Sequence, residues 1–161
     1  MIEYNAVSDA DTILNITNHS YFNIGCGGQA AGDVLGAQVQ IASAKYTPIN
    51  EKRLPTGEIC DVAGTAMDFR EFHDIGSRIG EDDANAQTVS GYDHNYILPG
   101  NPGEICYAAA VRDPESRRIV EVFTDMPGVQ LYTAKELVEQ GGKGGITYGT
   151  VSYTHLRAHE T

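Results

Sequence analysis

The 161-residue sequence has few of the residues that mark a nucleic-acid-binding or membrane protein. Its 11 Lys and Arg stand against 22 Asp and Glu, a formal net charge of −11. Binding to a phosphate backbone needs clustered positive charge. No apolar run reaches the roughly 20 residues of a membrane-spanning helix, and the first residues lack the basic and apolar regions of a secretory signal. We therefore expect a cytoplasmic protein with no nucleic-acid or membrane partner.

Cysteine is scarce and tryptophan is absent. Cys26, Cys60 and Cys106 are far apart and form no CxxC pair. A disulfide framework or a zinc site normally shows an even number of cysteines or close pairs. We therefore expect reduced, structural thiols and no metal site.

Three stretches match known ligand-binding motifs only in part. Residues 25–30, GCGGQA, have the spacing of a dinucleotide-binding turn, but the segment before them is polar and no helical pattern follows. Residues 80–85, GEDDAN, lack the glycine and the distal glutamate of a calcium loop. Residues 141–147, GGKGGIT, lack the Ser or Thr that follows the lysine of a phosphate loop. We interpret all three as loops.

Short runs of alternating apolar and polar residues, separated by Gly and Pro, predict an all-β sandwich or barrel. Residues 12–24, TILNITNHSYFNI, predict a strand with apolar side chains on one face and His19 and Tyr21 on the other. A helix is predicted within residues 68–79, although Gly76 weakens the pattern. Further strands are predicted within residues 34–49, 54–64, 105–113, 117–125 and 128–133.

The last eleven residues, VSYTHLRAHET, do not continue the apolar pattern before them and hold two of the five histidines. They resemble a translated cloning or sequencing-adaptor sequence. We therefore predict a domain over residues 1–150 and a non-native tail over residues 151–161, which we leave out of the fold prediction.

Three polar side chains are candidate ligands for a hydroxylated small molecule. His19 lies in TNHSYFN, Asp93 in GYDHNYIL and Gln130 in PGVQLYT. Carboxylate and amide groups bond hydroxyl groups, and Tyr21 can pack against the apolar face of a sugar ring. Structural alternatives remain open: a hydrogen-bonded strand histidine for His19 and a turn-stabilising role for Asp93.

Five ordered motifs between Glu3 and Tyr148 together resemble one family, the aldose 1-epimerases or galactose mutarotases. They are NITNHSYFNI, YTPINEKRLPTGEI, VAGTAMDFR, GYDHNYIL and FTDMPGVQLYT. The resemblance implies a large antiparallel β-sandwich, incomplete here, with a shallow groove for a free aldose. It also implies that His19 is the general acid, protonating the ring oxygen while a glutamate takes the anomeric proton, and that Asp93 and Gln130 bind sugar hydroxyls. No cofactor is expected, because paired proton transfers suffice to open a hemiacetal.

The sequence departs from the family where the catalytic glutamate is expected, on the strand after QLYT and its glycine-rich loop. VSYTHLRAHET takes that place. Glu136 and Glu139 lie too early and Glu160 lies in the tail, so none is assigned as the base. The family's N-terminal portion, which supplies another histidine and an arginine, is also absent. We expect an internal fragment that is poorly soluble and nearly inactive, and the sequence leaves its oligomeric state and preferred aldose open.

Other functions remain open as alternatives. An epimerase for phosphorylated hexoses on the same fold would call for an arginine cluster beside the groove, whereas the basic residues here are few and scattered. A non-catalytic sugar-binding module would keep Asp93 and Gln130 and need no acid–base pair. A purely structural sandwich is disfavoured, because the polar motifs occur together and in order.

Overall fold

The computed structural model describes residues 1–25, 33–79, 91–101, 103–133, 145 and 154–159, the last six as backbone only. Its strands are β1 (Tyr21–Phe22), β2 (Gln38–Ile41), β3 (Lys45–Thr47), β4 (Cys60–Asp61), β5 (His73–Asp74), β6 (Asp93–Ile97), β7 (Cys106–Arg112), β8 (Ile119–Thr124), β9 (Gly128–Tyr132) and β10 (Thr154–His159). One short helix, α1 (Ile75–Arg78), follows β5.

The strands form two antiparallel sheets. Six lie in the order β1–β10–β9–β6–β3–β4, and four lie in the order β5–β2–β7–β8. Their buried side chains form one hydrophobic cluster with contributions from both sheets, which confirms the predicted all-β fold class. In the described part of the chain β8 ends its sheet, and its Ile119 and Phe123 are 52% and 58% exposed.

Alternation along the strands separates a core face from an outer face, as the sequence pattern predicts. Val39 and Ile41 on β2 are fully buried, and so are Val129 and Leu131 on β9. The residues between them, such as Gln40, are only partly buried. Burying these β-branched and aliphatic side chains supplies most of the favourable free energy of folding.

Two elements are shorter than the sequence predicted. The strand predicted over residues 12–24 forms only at Tyr21–Phe22, and Leu14, predicted on its core face, is 54% exposed. A strand persists where its backbone N–H and C=O groups find a partner, and the described register pairs only these two residues with β10. The helix predicted over residues 68–79 is confined to Ile75–Arg78, because the preceding His73–Asp74 pairs with β2 instead.

Several predictions fall wholly or largely outside the described residues. These are the loops within residues 25–30, 80–85 and 141–147, and the thiol state of Cys26. Cys60 and Cys106 are free thiols, as expected. Among the residues that the structure describes, no group of three or more His, Cys, Asp or Glu is arranged to hold a metal ion. No helix within those ranges has the length and apolar character needed to cross a membrane.

Strand β10 lies inside the segment that we predicted to be a non-native tail. Its backbone pairs with β1 on one side and with β9 on the other. Leaving these residues out of the fold prediction therefore missed a strand. Because strand pairing uses backbone groups that nearly every residue carries, it does not depend on where the segment comes from, and the non-native origin stays a prediction.

Arginine contacts hold the loop before β5. Arg78 donates hydrogen bonds to the backbone carbonyls of Thr65 and Asp68, at 3.4 and 2.9 Å. Arg70 makes a bidentate contact with the Asp68 carboxylate, with Nε and Nη2 at 2.9 and 2.7 Å from its two oxygens. The hydrogen bond from the Arg70 side chain is the main cause that lowers the pKa of Asp68 below its ordinary value.

Replacing Asp68 with Asn should change the acid dependence of stability. Since the folded-state pKa of Asp68 is lowered, its contribution is present above the ordinary carboxyl pKa of about 3.9 and is lost as the pH falls through the lower, folded-state value. The Arg70 side chain is 49% exposed, so solvent screens the pair and we expect less than about 1 kcal/mol. Urea unfolding should show a cost of Asp68→Asn at pH 7 that shrinks below about pH 4. Asp125→Asn, in an exposed bend, is the control, and an equal cost of Asp68→Asn at both pH values would contradict the assignment.

Two isoleucines on different strands test the position of the core. Ile41 is fully buried, whereas Ile119 is 52% exposed. Ile41→Ala should lower the free energy of unfolding by about 2–5 kcal/mol through lost burial and the cavity left behind. The matched Ile119→Ala should cost less than about 1 kcal/mol. Similar costs in urea unfolding would show that the core lies elsewhere.

Candidate functional site

The outer side of the six-stranded sheet carries polar and aromatic side chains at alternate positions. Asp93 is the Cα partner of Tyr132, and Asn95 is the partner of Gln130. The residues between them on β6 and β9 point into the core, as fully buried His94 shows. Tyr132 is the Cα partner of position 155 on β10, and position 155 is in turn the partner of Tyr21 on β1, so Tyr21 lies in the same row. We call the surface formed by Tyr21, Asp93, Asn95, Gln130 and Tyr132 the polar face.

Asp93 and Gln130, both predicted from sequence, contact each other on the polar face. The Gln130 side-chain Nε2 donates a hydrogen bond of 2.6 Å to Oδ1 of Asp93. They are diagonal neighbours across the β6–β9 pair, a distance that long side chains bridge. Both are partly buried, and Asp93 begins β6 rather than stabilising a turn. The pair can offer a ligand a second carboxylate oxygen, an amide oxygen and a second amide N–H.

His19 lies beside the polar face but not on a strand. The side-chain oxygen of Asn18 accepts a hydrogen bond of 3.1 Å from the backbone N–H of Ser20, a local turn that spans His19. The exposed imidazole lies next to Tyr21, with ring centroids 5.3 Å apart and planes inclined by 49°. The sequence pattern therefore predicted the solvent-facing side of His19 correctly and its strand conformation wrongly.

Tyr132 connects the surroundings of His19 to the Asp93–Gln130 pair. Its ring meets the ring of Tyr21 edge-on, with centroids 6.4 Å apart and an angle of 66°. Sequence reasoning used the QLYT motif for Gln130 and missed Tyr132. The period of two along a strand was a sufficient signal, since Tyr132 is two residues after Gln130 and shares its face.

Asn95 is a second residue that sequence reasoning missed. Both polar atoms of its side chain are inaccessible and, within the described residues, have no hydrogen-bond partner. A Cβ atom added at Gly128 would lie 2.5 Å from Asn95 Oδ1, so glycine leaves the space that this amide fills. Asn95 thus forms the floor of the polar face next to Gln130.

Two cavities have volumes of about 340 and 460 Å³. The larger lies beside Asp33, Asp113 and Glu115, and the smaller lies between the N-terminal segment and β8. Neither is lined by His19, Asp93 or Gln130. The candidate carboxylates Glu136, Glu139 and Glu160 lie outside the described residues.

Comparison with known sequences finds similar proteins and a matching family model. The family model described as "Aldose 1-epimerase" matches residues 1–154. Galactose mutarotase of Homo sapiens is 38% identical over 149 residues, which are 92% of this chain and 41% of that protein. Aldose 1-epimerase of Escherichia coli (strain K12) is 33% identical over 147 residues, 91% of this chain and 41% of that protein. The chain thus spans about two fifths of the length of these curated relatives.

Solved structures share the fold. A galactose 1-epimerase from Lactobacillus acidophilus NCFM superimposes with a TM-score of 0.76 at 30% identity, covering 96% of this chain and 42% of that one. A GalM/aldose epimerase homologue from C. elegans has a TM-score of 0.74 at 20% identity, with 91% and 42% covered, and supports the fold alone. The predicted family resemblance is confirmed, because the family match extends over 154 of the 161 residues: the chain belongs to the aldose 1-epimerase family.

Proposed function

We propose that the longer protein of which this chain would form a part interconverts the α and β anomers of a free hexose, glucose or galactose. Family membership supports an epimerase, and the similar human protein is named a galactose mutarotase. The single observation that carries the proposal for this chain is the Asp93–Gln130 hydrogen bond on the polar face. It provides a preformed set of hydroxyl ligands on the face beside which His19 lies.

The polar face would hold the sugar by matching its alternating hydroxyl and C–H surfaces. Asp93 accepts hydrogen bonds from hydroxyl groups, and the Gln130 amide both donates and accepts. Because Gln130 already donates to Asp93, its orientation is set before a ligand arrives, and less conformational entropy is lost on binding. The ring of Tyr21, 42% exposed, can cover the C–H face of the pyranose.

The reaction would need one proton donor and one proton acceptor. His19 donates a proton to the ring oxygen as the C1–O5 bond breaks, while a carboxylate takes the proton of the anomeric hydroxyl and C1 becomes an aldehyde. Rotation about C1–C2 presents the other face of the aldehyde, and reversal of both transfers closes the ring. Imidazole suits this exchange because it gains and loses a proton near neutral pH.

We propose that the carboxylate expected on the strand after QLYT would lie at position 157, where this chain has an arginine. Strand β10 takes the place between β1 and β9, and Arg157 is the Cα partner of Gln130. Residues that are partners in an antiparallel pair share a face, so position 157 belongs to the row of Gln130. A guanidinium group stays protonated and cannot accept a proton. We therefore propose that this chain by itself is nearly inactive.

Sugar binding without turnover is the second candidate function for the chain as it stands. The hydrogen-bonded Asp93–Gln130 pair favours it, because the pair is complete within the described residues and needs no base. The two candidates differ in one group, a carboxylate in the row of Gln130.

Installing that carboxylate should restore catalysis. Arg157→Glu should accelerate the mutarotation of α-glucose or α-galactose, followed by polarimetry, by on the order of 10²-fold or more over the unmodified chain. Arg157→Gln, which removes the positive charge and adds no base, should not accelerate it. Adding His19→Gln to Arg157→Glu should abolish the gain.

The opposite result in the unmodified chain would overturn this account. A large acceleration that His19→Gln removes would place the base elsewhere in the chain. No gain in Arg157→Glu, with sugar binding intact, would favour the binding module.

Binding can be tested separately from turnover. Gln130→Ala removes a hydroxyl ligand and leaves Asp93 without its donor, so the affinity for galactose in an NMR titration should fall about tenfold. Gln40→Ala is the matched control, because Gln40 lies on β2 of the other sheet, where its amide bonds the Arg70 carbonyl at 3.0 Å. Equal affinities of Gln130→Ala and the unmodified chain would remove Gln130 from the site.

A further inference from the structure

Three rings connect the turn before β1 to the middle of the polar face. The His19 and Tyr21 centroids are 5.3 Å apart, and the Tyr21 and Tyr132 centroids are 6.4 Å apart. Both contacts are inclined, at 49° and 66°, and inclined or edge-to-face arrangements are those that aromatic rings prefer. The proposed reaction assigns no role to Tyr132.

The strand order explains why a connection is needed. β1 and β6 are separated by β10 and β9, so three strand spacings of about 4.8 Å place their backbones about 14 Å apart. A proton donor next to β1 and hydroxyl ligands on β6 must act on one sugar ring. Tyr21 and Tyr132 lie in the same register row as Asp93, on either side of position 155 of β10, and their ring centroids are 6.4 Å apart.

The three rings differ in burial and in the number of strands that pair with their own strand. Tyr132 is partly buried on β9, which has a neighbouring strand on each side. Tyr21 is 42% exposed on a two-residue strand at the edge of the sheet. His19 is exposed and lies outside any strand. Burial and the number of neighbouring strands therefore decrease from Tyr132 through Tyr21 to His19, and the better-buried ring is the one able to support the others.

We propose that Tyr132 is a positioning residue for His19: its ring supports Tyr21, and Tyr21 holds the imidazole toward the Asp93–Gln130 pair. The inference rests on the proposed function in one respect, namely that His19 is the proton donor. An exposed imidazole without such support would sample several rotamers. Contact with the rings of Tyr21 and Tyr132, which we call the ring line, would restrict the imidazole to the rotamer that faces a sugar lying on the polar face.

The His19 side chain reports on this support directly. The NMR resonance of its Cε1–H, assigned through loss of the signal in His19→Gln, senses the neighbouring Tyr21 ring. Tyr132→Leu should move the resonance toward its position in the urea-unfolded chain and weaken galactose binding about 2- to 12-fold, the range expected for losing one aromatic pair. Tyr132→Phe keeps the ring and should leave both unchanged.

Tyr107→Leu is the matched control, because it removes a tyrosine ring that meets Phe123 at 5.5 Å on the other sheet. A His19 resonance that responds equally to Tyr107→Leu and Tyr132→Leu would overturn the proposal. The unmodified chain supplies a test that needs no variant to fold: nuclear Overhauser contacts should join the ring protons of Tyr21 to those of both His19 and Tyr132. Their absence would also overturn the proposal.

These readouts separate the positioning role from the proposed function. A His19 resonance that responds to Tyr132→Leu and not to Tyr107→Leu supports the ring line, whether or not sugar binds. Absence of any galactose binding by the unmodified chain would contradict the sugar site alone.

Discussion

The candidate site depends on the antiparallel register of β6 and β9. In that register Asp93 and Gln130 are diagonal neighbours on the outer side of the sheet, and His94 is buried behind them. A slip of one residue would turn Asp93 into the core and expose His94, because side chains alternate between the two faces. Tyr96, which is fully buried on the same strand, opposes such a slip, since the slip would expose it as well. The hydrophobic core thereby fixes the relative position of Asp93 and Gln130.

Sequence reasoning succeeded where the period of two was long enough to define a strand, and it recovered β2, β7, β8 and β9. The family resemblance, not the strand pattern, singled out Asp93 and Gln130, and the structure brings these two residues together on one face. Sequence reasoning failed at the strand over residues 12–24 and at the helix over residues 68–79, because their extents depend on which backbone groups find a partner strand. Tyr132 and Asn95 were missed because one ligand was taken from each motif and the period of two was not followed to the next position on the same face.

The pairing of strand β10 does not depend on which chemical groups its side chains carry. The family match ends at residue 154, the first residue of β10. The backbone of β10 nevertheless pairs with β1 and β9. The same register that preserves the sheet puts an arginine in the row of Gln130. The backbone pairing of a sheet therefore does not determine which chemical groups the sheet presents, and these have to be judged residue by residue.

The exposed edge strand β8 affects how the protein self-associates in solution. Its six residues end their sheet in the described part of the chain, and Ile119 and Phe123 present apolar surface there. Such an edge offers a template to which the same strand of a second copy can add. The net charge of −11 keeps copies apart by repulsion. Added salt screens that repulsion, so self-association should increase with ionic strength.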